Sequence, residues 1–239
     1  FFAGSRLRDA LGAICTHAYA PPAPLRDLRG EGDHLLELFH GPTAAFKDFA
    51  ARFLAEALSR LRSPGAPPST IVVATSGDTG AAVASAFHRR PGFSVAILYP
   101  EGRVSPRQAH GLECWGDNVQ AFRVAGTFDD CQDLVKAMFA DEAFRGRFHL
   151  SAVNSINFAR VLAQIVYYVS AYADMVASGG VKPGEPMDVC VPTGNFGDIF
   201  GGGGGGGGFD PFEAFFGGQR GGGGRARQGR RGSNLRIKV

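Results

Sequence analysis

Cysteine is scarce in this chain and scattered. The four residues Cys15, Cys114, Cys131 and Cys190 lie far apart and include no CxxC pair. That excludes a small disulfide framework and leaves a structural zinc site without its usual spacing. No apolar run is long enough to span a bilayer, and no secretory leader opens the sequence; the expected setting is a reducing cytoplasm with no membrane partner. Nucleotide signatures are missing too: no GxGxxG follows a strand-like run, and GPTAAFKD lacks the GxxxxGK[ST] spacing. The six histidines form no HExxH pattern, and no GxSxG elbow surrounds a serine, so neither metal-dependent hydrolysis nor serine-hydrolase chemistry has a motif. His40 and Cys114 have no pattern that would pair them for thiol chemistry, and structural roles are expected for both.

Glycine is present in excess, and unevenly. Of 35 glycines, 16 fall in residues 201–239, eight of them in one run from Gly201 to Gly208. The same tail holds seven basic residues against Asp210 and Glu213, a net +5, so residues 1–200 carry −2 of the whole chain's +3. The basic character therefore belongs to the tail, and the body gives no electrostatic reason to expect nucleic acid. A glycine run of that length cannot form a helix or a paired strand at reasonable entropic cost, and a disordered, low-complexity tail is expected.

Between residues 33 and 200, short β-branched runs alternate with helical patterns. Strands are expected at Ile71–Ala74, Phe93–Tyr99, Val119–Val124, His149–Val153 and Met187–Val191. A helix is expected after TSGDTG in AAVASAFHRR. Another is expected over Thr127–Asp141, opened by a threonine cap with acids behind it, and a third over Ser155–Val176 with Ile156, Ala159, Leu162, Ala163, Val166 and Val169 on one face. Alternation of this kind implies βαβ units and an α/β fold whose mostly parallel sheet is covered on both faces. The organisation expected is a partial N-terminal segment (1–32), an α/β region (33–200) and the Gly/Arg-rich tail (201–239).

Three loops on this scaffold can carry chemistry. Lys47 stands between Phe46 and Asp48, where HGPT gives way to an Ala/Phe-rich helix. At that place a lysine is either a snorkelling surface residue or an amine whose charge is disfavoured, fit to act as nucleophile or base. In TSGDTG, the hydroxyls of Thr75, Ser76 and Thr79 can donate to a carboxylate, or Asp78 or Thr79 can serve as a helix cap. In PTGNFGD, residues Thr193 to Gly197 can present backbone N–H groups to a phosphate, or the glycines can simply make a tight turn. An amine, a hydroxyl loop and a phosphate loop together describe a pyridoxal phosphate site that binds an amino acid.

The segments HGPTAAFKDF, ATSGDTGAA, YPEGRVSPRQ, FDDCQDLVKAMF, NSINFARVLAQIVYY and PTGNFGD occur in that order. Over Leu36 to Ile199 this series resembles the threonine synthases of many bacteria and fungi, pyridoxal 5'-phosphate enzymes of fold type II. The resemblance implies conversion of O-phospho-L-homoserine and water to L-threonine and phosphate. It implies that Lys47 holds the cofactor covalently and moves protons, and that Gly194, Asn195, Phe196, Gly197 and Asp198 surround the cofactor phosphate. It places Thr75, Ser76, Asp78 and Thr79 beside the substrate carboxylate and ring, and Asn154, Ser155, Asn157 and Arg160 at the substrate, Arg160 being equally suited to a surface salt bridge.

The resemblance stops at both ends. A DGGL-type N-terminal segment does not precede Phe1, and polyglycine stands where the family continues its large domain. A truncated or frame-shifted chain is expected, one that binds cofactor weakly or not at all and is inactive alone. The alternatives are another fold-type II lyase, of phospho-lyase or dehydratase type, and a non-catalytic binding protein whose Arg/Gly tail resembles RNA-binding segments.

Overall fold

The computed structural model describes residues 4–29, 32–152, 158–191 and 233–237. The chain divides into two compact units, Phe1–Ala163 and Gln164–Val239.

In the first unit, a 3-10 turn at Arg8–Ala10 leads into α1 (Leu11–Ala18), and a small antiparallel hairpin pairs β1 (Leu25–Asp27) with β2 (His34–Leu36). Then come α2 (Lys47–Leu61), β3 (Ser69–Ala74), α3 (Asp78–Phe87), β4 (Phe93–Pro100), α4 (Pro106–Glu113), β5 (Val119–Val124), α5 (Phe128–Ala140), α6 (Glu142–Phe148) and β6 (Leu150–Ala152). The four longer-range strands form one parallel sheet in the order β5-β4-β3-β6.

Period-two alternation decides which helices cover which face. Ile71, Val73, Val95, Ile97 and Tyr99 point to one side, where Ala51, Leu54 and Ala55 of α2, Val83 and Phe87 of α3, and Leu112 of α4 pack on them. Val72 and Leu98 point to the other side and meet Cys131, Val135 and Met138 of α5. The opposite flank of α2 (Ala50, Phe53, Ala57) is covered by Leu7, Ile14 and Ala18. Cover thins at the β5 edge, where Phe122 is half exposed.

Local chemistry explains the helix starts. Thr127 caps α5 as expected, and Asp130 completes a capping box, with Asp130 N donating to Thr127 Oγ1 at 3.2 Å and Thr127 N donating to Asp130 Oδ2 at 2.6 Å. Ser105 and Gln108 form a second one, with Pro106 at the first helical position, and so open α4, a helix the periodicity did not announce.

In the second unit, α7 (Phe158–Ala177) begins before the division and continues through it, and β7 (Met187–Val191) pairs antiparallel with β8 (Ser233–Ile237). Two expectations change here. Among the described side chains of α7, Ala163, Gln164, Tyr167, Tyr168, Ala171 and Met175 are buried, whereas Val166 and Val169 are exposed. The tyrosine rings bring more apolar area than the valines and take the interior. Within the tail read as structureless, SNLRI forms a strand, its Leu235 and Ile237 alternating with polar neighbours as a strand requires. Tyr172 Oη ties α7 to the turn before β7, accepting from Gly184 N at 2.8 Å.

Among the described residues, no helix is long and apolar enough to cross a membrane, and no three His, Cys, Asp or Glu are grouped to hold a metal ion.

Candidate active site

Strand order locates the site. The chain steps outward from β3 through β4 to β5, with α3 and α4 on one face, then returns across the other face through α5 to add β6 beside β3. The reversal between β3 and β6 is a topological switch point, and ligands of open α/β sheets bind at the carboxyl ends of the strands there. The loop after β3 is Thr75-Ser76-Gly77. The segment after β6 is the one containing Asn154, Ser155 and Asn157, which lies outside the described residues.

Helices α2 and α3 flank β3 through short connections, so both run antiparallel to it and parallel to each other. Arg90, just past α3, fixes their register by donating to Glu56 Oε1 at 3.0 Å and Ser59 Oγ at 3.2 Å, both in the second half of α2. The same guanidinium donates from Nε to Ala86 O at 3.1 Å and from Nη1 to Ala55 O at 3.5 Å; Ala86 lies eight residues beyond Asp78 within α3, and Ala55 eight beyond Lys47 within α2. At 1.5 Å per residue the two helices therefore begin at the same level, the carboxyl end of β3. Lys47 and the TSGD loop are brought to one end of the sheet by this arrangement.

Lys47 is the first residue of α2 and only 6% exposed, which rules out the snorkelling alternative. Its Nζ lies 4.4 Å from the Phe46 ring centroid, within cation–π distance, at the N-terminal end of α2. The loop before it is tightly held. Ala44 N donates to Gly41 O at 3.1 Å, closing a turn in which Ala44 adopts φ 55°. Asp48, 1% exposed, accepts from Thr43 N at 2.9 Å and from Thr43 Oγ1 at 2.7 Å. Burial pushes the Asp48 carboxyl up, against the lowering pull of the Thr43 hydroxyl and amide. Gly41 is packed so closely that a Cβ there would enter the Asp48 carboxylate.

The TSGD loop is organised by Thr75, 2% exposed. Its Oγ1 accepts from Gly77 N and Gly80 N, each at 3.0 Å, and donates to Gly77 O at 3.1 Å. Neither Asp78 nor Thr79 caps the helix, as one sequence alternative had it. The cap position is Gly77, at φ 147°, with no side-chain cap bond, and the Thr75 hydroxyl accepts from the first-turn N–H of Gly80 instead. Ser76 and Asp78 face solvent, and Thr79 is half-buried. Gln108, from the α4 capping box, lies against Gly77 and donates from Nε2 to Asp78 Oδ1 at 3.5 Å.

Thr43, Asp48 and Gln108 were not singled out from the sequence. An acid in the first turn of a helix reads as an ordinary dipole partner, and only the HGPT turn folded back on it reveals more. Gly194, Asn195, Phe196, Gly197 and Asp198 lie outside the described residues; Arg160 falls within α7, its side chain outside the description.

Residues 22–205 match the family of pyridoxal-phosphate dependent enzymes. This chain belongs to that family. It is 46% identical over 185 residues to the threonine synthase of Escherichia coli, an overlap of 77% of this chain and 42% of that protein. The fold superposes on a pyridoxal-phosphate-bound threonine synthase from Brucella melitensis with a TM-score of 0.71 at 42% identity, covering 84% of this chain and 44% of that one. The Escherichia coli threonine synthase structure gives 0.72 at 43% identity, covering 82% and 44%. The chain thus spans less than half the length of the relatives it matches. Pyridoxal phosphate is the cofactor of the family and the fold is of type II, as the motifs implied.

The residues present fit that cofactor. A buried lysine opens a helix at the carboxyl end of the sheet, and a second helix N-terminus, that of α3, stands at the same end.

Proposed function

We propose that the chain carries the lysine-bearing part of a threonine synthase site, acting on O-phospho-L-homoserine and water to give L-threonine and phosphate. The observation that supports this best is the burial of Lys47 at the head of α2, level with the Thr75 loop, in a chain similar to threonine synthases. When bound, pyridoxal phosphate supplies an electron sink that stabilises carbanions next to the amino group.

The chain's residues do the rest. The Lys47 amine holds the cofactor and, once released, takes and returns protons at Nζ. Its burial and the Phe46 ring, whose centroid lies 4.4 Å from Nζ, keep water from the amine. Thr75 uses its hydroxyl inside the loop, so its part is to shape the backbone, while Ser76, Asp78 and Thr79 would meet the substrate carboxylate and ring. Gly194 to Asp198 would receive the cofactor phosphate on backbone N–H groups, and Asn154, Ser155, Asn157 and Arg160 would position substrate. The setting that accompanies this function is cytoplasmic.

The test is to load the chain with saturating pyridoxal phosphate and follow its visible absorbance. Borohydride reduction followed by peptide mass spectrometry should fix the pyridoxyl group on Lys47, and Lys47→Ala should show no band. Persistence of the band in that variant would refute the lysine assignment. Phosphate released from O-phospho-L-homoserine, with no 2-oxo acid from serine, supports the substrate. The reverse pattern would make the protein a dehydratase, a band with neither product confines the chain to cofactor binding, and neither band nor product is the outcome the sequence expectation names.

A further inference from the structure

The bonds around Lys47 form a closed device. The Asp48 carboxylate reaches back over the helix start to Thr43, taking a hydrogen bond on each oxygen, Oδ2 from the amide and Oδ1 from the hydroxyl. Residues 44–47 are enclosed in the ring that these bonds complete. Within the ring, the helix start is tightened by Asp48 N donating to Ala45 O at 3.0 Å and Phe49 N to Phe46 O at 3.3 Å. No side chain at Phe46 caps the helix. Asp48 is therefore what joins the turn at Gly41–Ala44 to the first turn of α2. The left-handed Ala44 and the close approach of Gly41 are both shaped to that junction. Arg52, one turn further along α2, adds positive charge toward Asp48 and is itself held by donating from Nε to Ala18 O at 3.1 Å.

Such an arrangement does more than start a helix. Starting one needs an acceptor at the cap or an acid in the first turn at the surface, not a carboxylate 1% exposed. Burying this charge is costly unless its bonds are used, and its bonds to the Thr43 amide and hydroxyl close around the four-residue span that ends in the lysine.

We propose that Asp48 is the positioning residue for Lys47, holding the HGPT turn against α2 so that the amine stays buried and aimed into the site. This rests on Lys47 being the cofactor lysine, yet it is testable without cofactor. Asp48 does not touch the reacting atoms; it acts through Thr43 and the backbone of residues 44–47.

Competitive acetylation of the full chain, read by peptide mass spectrometry, measures the reactivity of Lys47 against Lys136, an exposed lysine of the same molecule. In the wild type Lys47 is expected to label far more slowly than Lys136. Asp48→Ala should raise the Lys47 rate on the order of tenfold, the factor that corresponds to losing the hydrogen bonds of one buried charged group. Thr43→Val, which removes the hydroxyl and keeps the amide, should fall between. Asp48→Asn can accept from the amide and donate to the hydroxyl, and should restore slow labelling. Ala57→Gly, buried on the same helix two and a half turns away, serves as a matched loss of stability and should leave the ratio unchanged. An Asp48→Ala rate equal to wild type overturns the proposal, as does a rise equally large in Ala57→Gly. Failure of the functional reading is separate: it shows as no pyridoxyl group on Lys47 in the wild type, whatever the labelling ratios are.

Discussion

Replacing Thr75 by valine removes one hydroxyl and almost nothing else. The side chain is buried and keeps its shape, but Gly77 N loses its acceptor at 3.0 Å and Gly77 O a donor at 3.1 Å. Gly80 N is cushioned because it also donates to Gly77 O at 3.1 Å. One fully orphaned buried N–H and a weakened network amount to about 2 kcal/mol. For a chain of this size that lowers the melting temperature by about 4–8 °C. Thr75→Ser should do less harm, since it keeps the hydroxyl and gives up only a methyl group, worth about 1 kcal/mol. Thermal unfolding followed by circular dichroism gives the order wild type, Ser, Val. If Val is as stable as Ser or more so, the hydrogen bonds contribute no more than the methyl packing against Gly80, and the account of this loop is wrong.

Gly77→Ala should be worse. The position has φ 147°, which L residues rarely adopt, and the new Cβ would enter the Gln108 amide; a loss of about 3 kcal/mol or more is expected, with reduced cofactor uptake, and a melt unchanged from wild type would refute it. Glu56 predicts an acid dependence. Burial resists its ionisation, but hydrogen bonds from Arg60 and Arg90 outweigh burial and bring its pKa from 4.5 to about 2. A depressed folded-state pKa contributes stability that is present above 4.5 and lost as pH falls toward about 2. Glu56→Gln should flatten the fall of melting temperature over that window by the equivalent of roughly 2–3 kcal/mol, and an unchanged slope would show that the pair with Arg90 is not stabilising.

Much of this could be read from residue patterns, and the places where it could not have physical reasons. Val119–Val124 and Met187–Val191 are strands to the residue because β-branched runs bounded by turns have few other solutions. The partner of the second, Ser233–Ile237, was hidden behind the Gly/Arg-rich stretch that precedes it, and pairing between distant segments leaves no local trace. Helix α3 begins at Asp78, three residues before its apolar pattern, because Thr75 does the capping from outside the helix. Lys47 was legible because a charge among alanines and phenylalanines is out of place. Asp48 was not, since an acid beside a helix start is what the dipole alone would favour. Its weight comes from Thr43 folding back, a tertiary fact.

The pairing of Arg90 with Glu56 and Ser59 makes α2 and α3 a pair of matched rulers, clipped together at one end so that their other ends coincide. Length in these two helices is therefore a conserved quantity of the design in a way that length in the 62–68 connection is not. One residue inserted within either helix would turn its working end by about 100° and shift it 1.5 Å, swinging Lys47 or the TSGD loop out of register. The same insertion between Arg62 and Pro68 would change only a surface turn. Natural variation in chains built this way should accordingly collect its insertions beyond the clip and spare the stretch that meters the distance to the lysine.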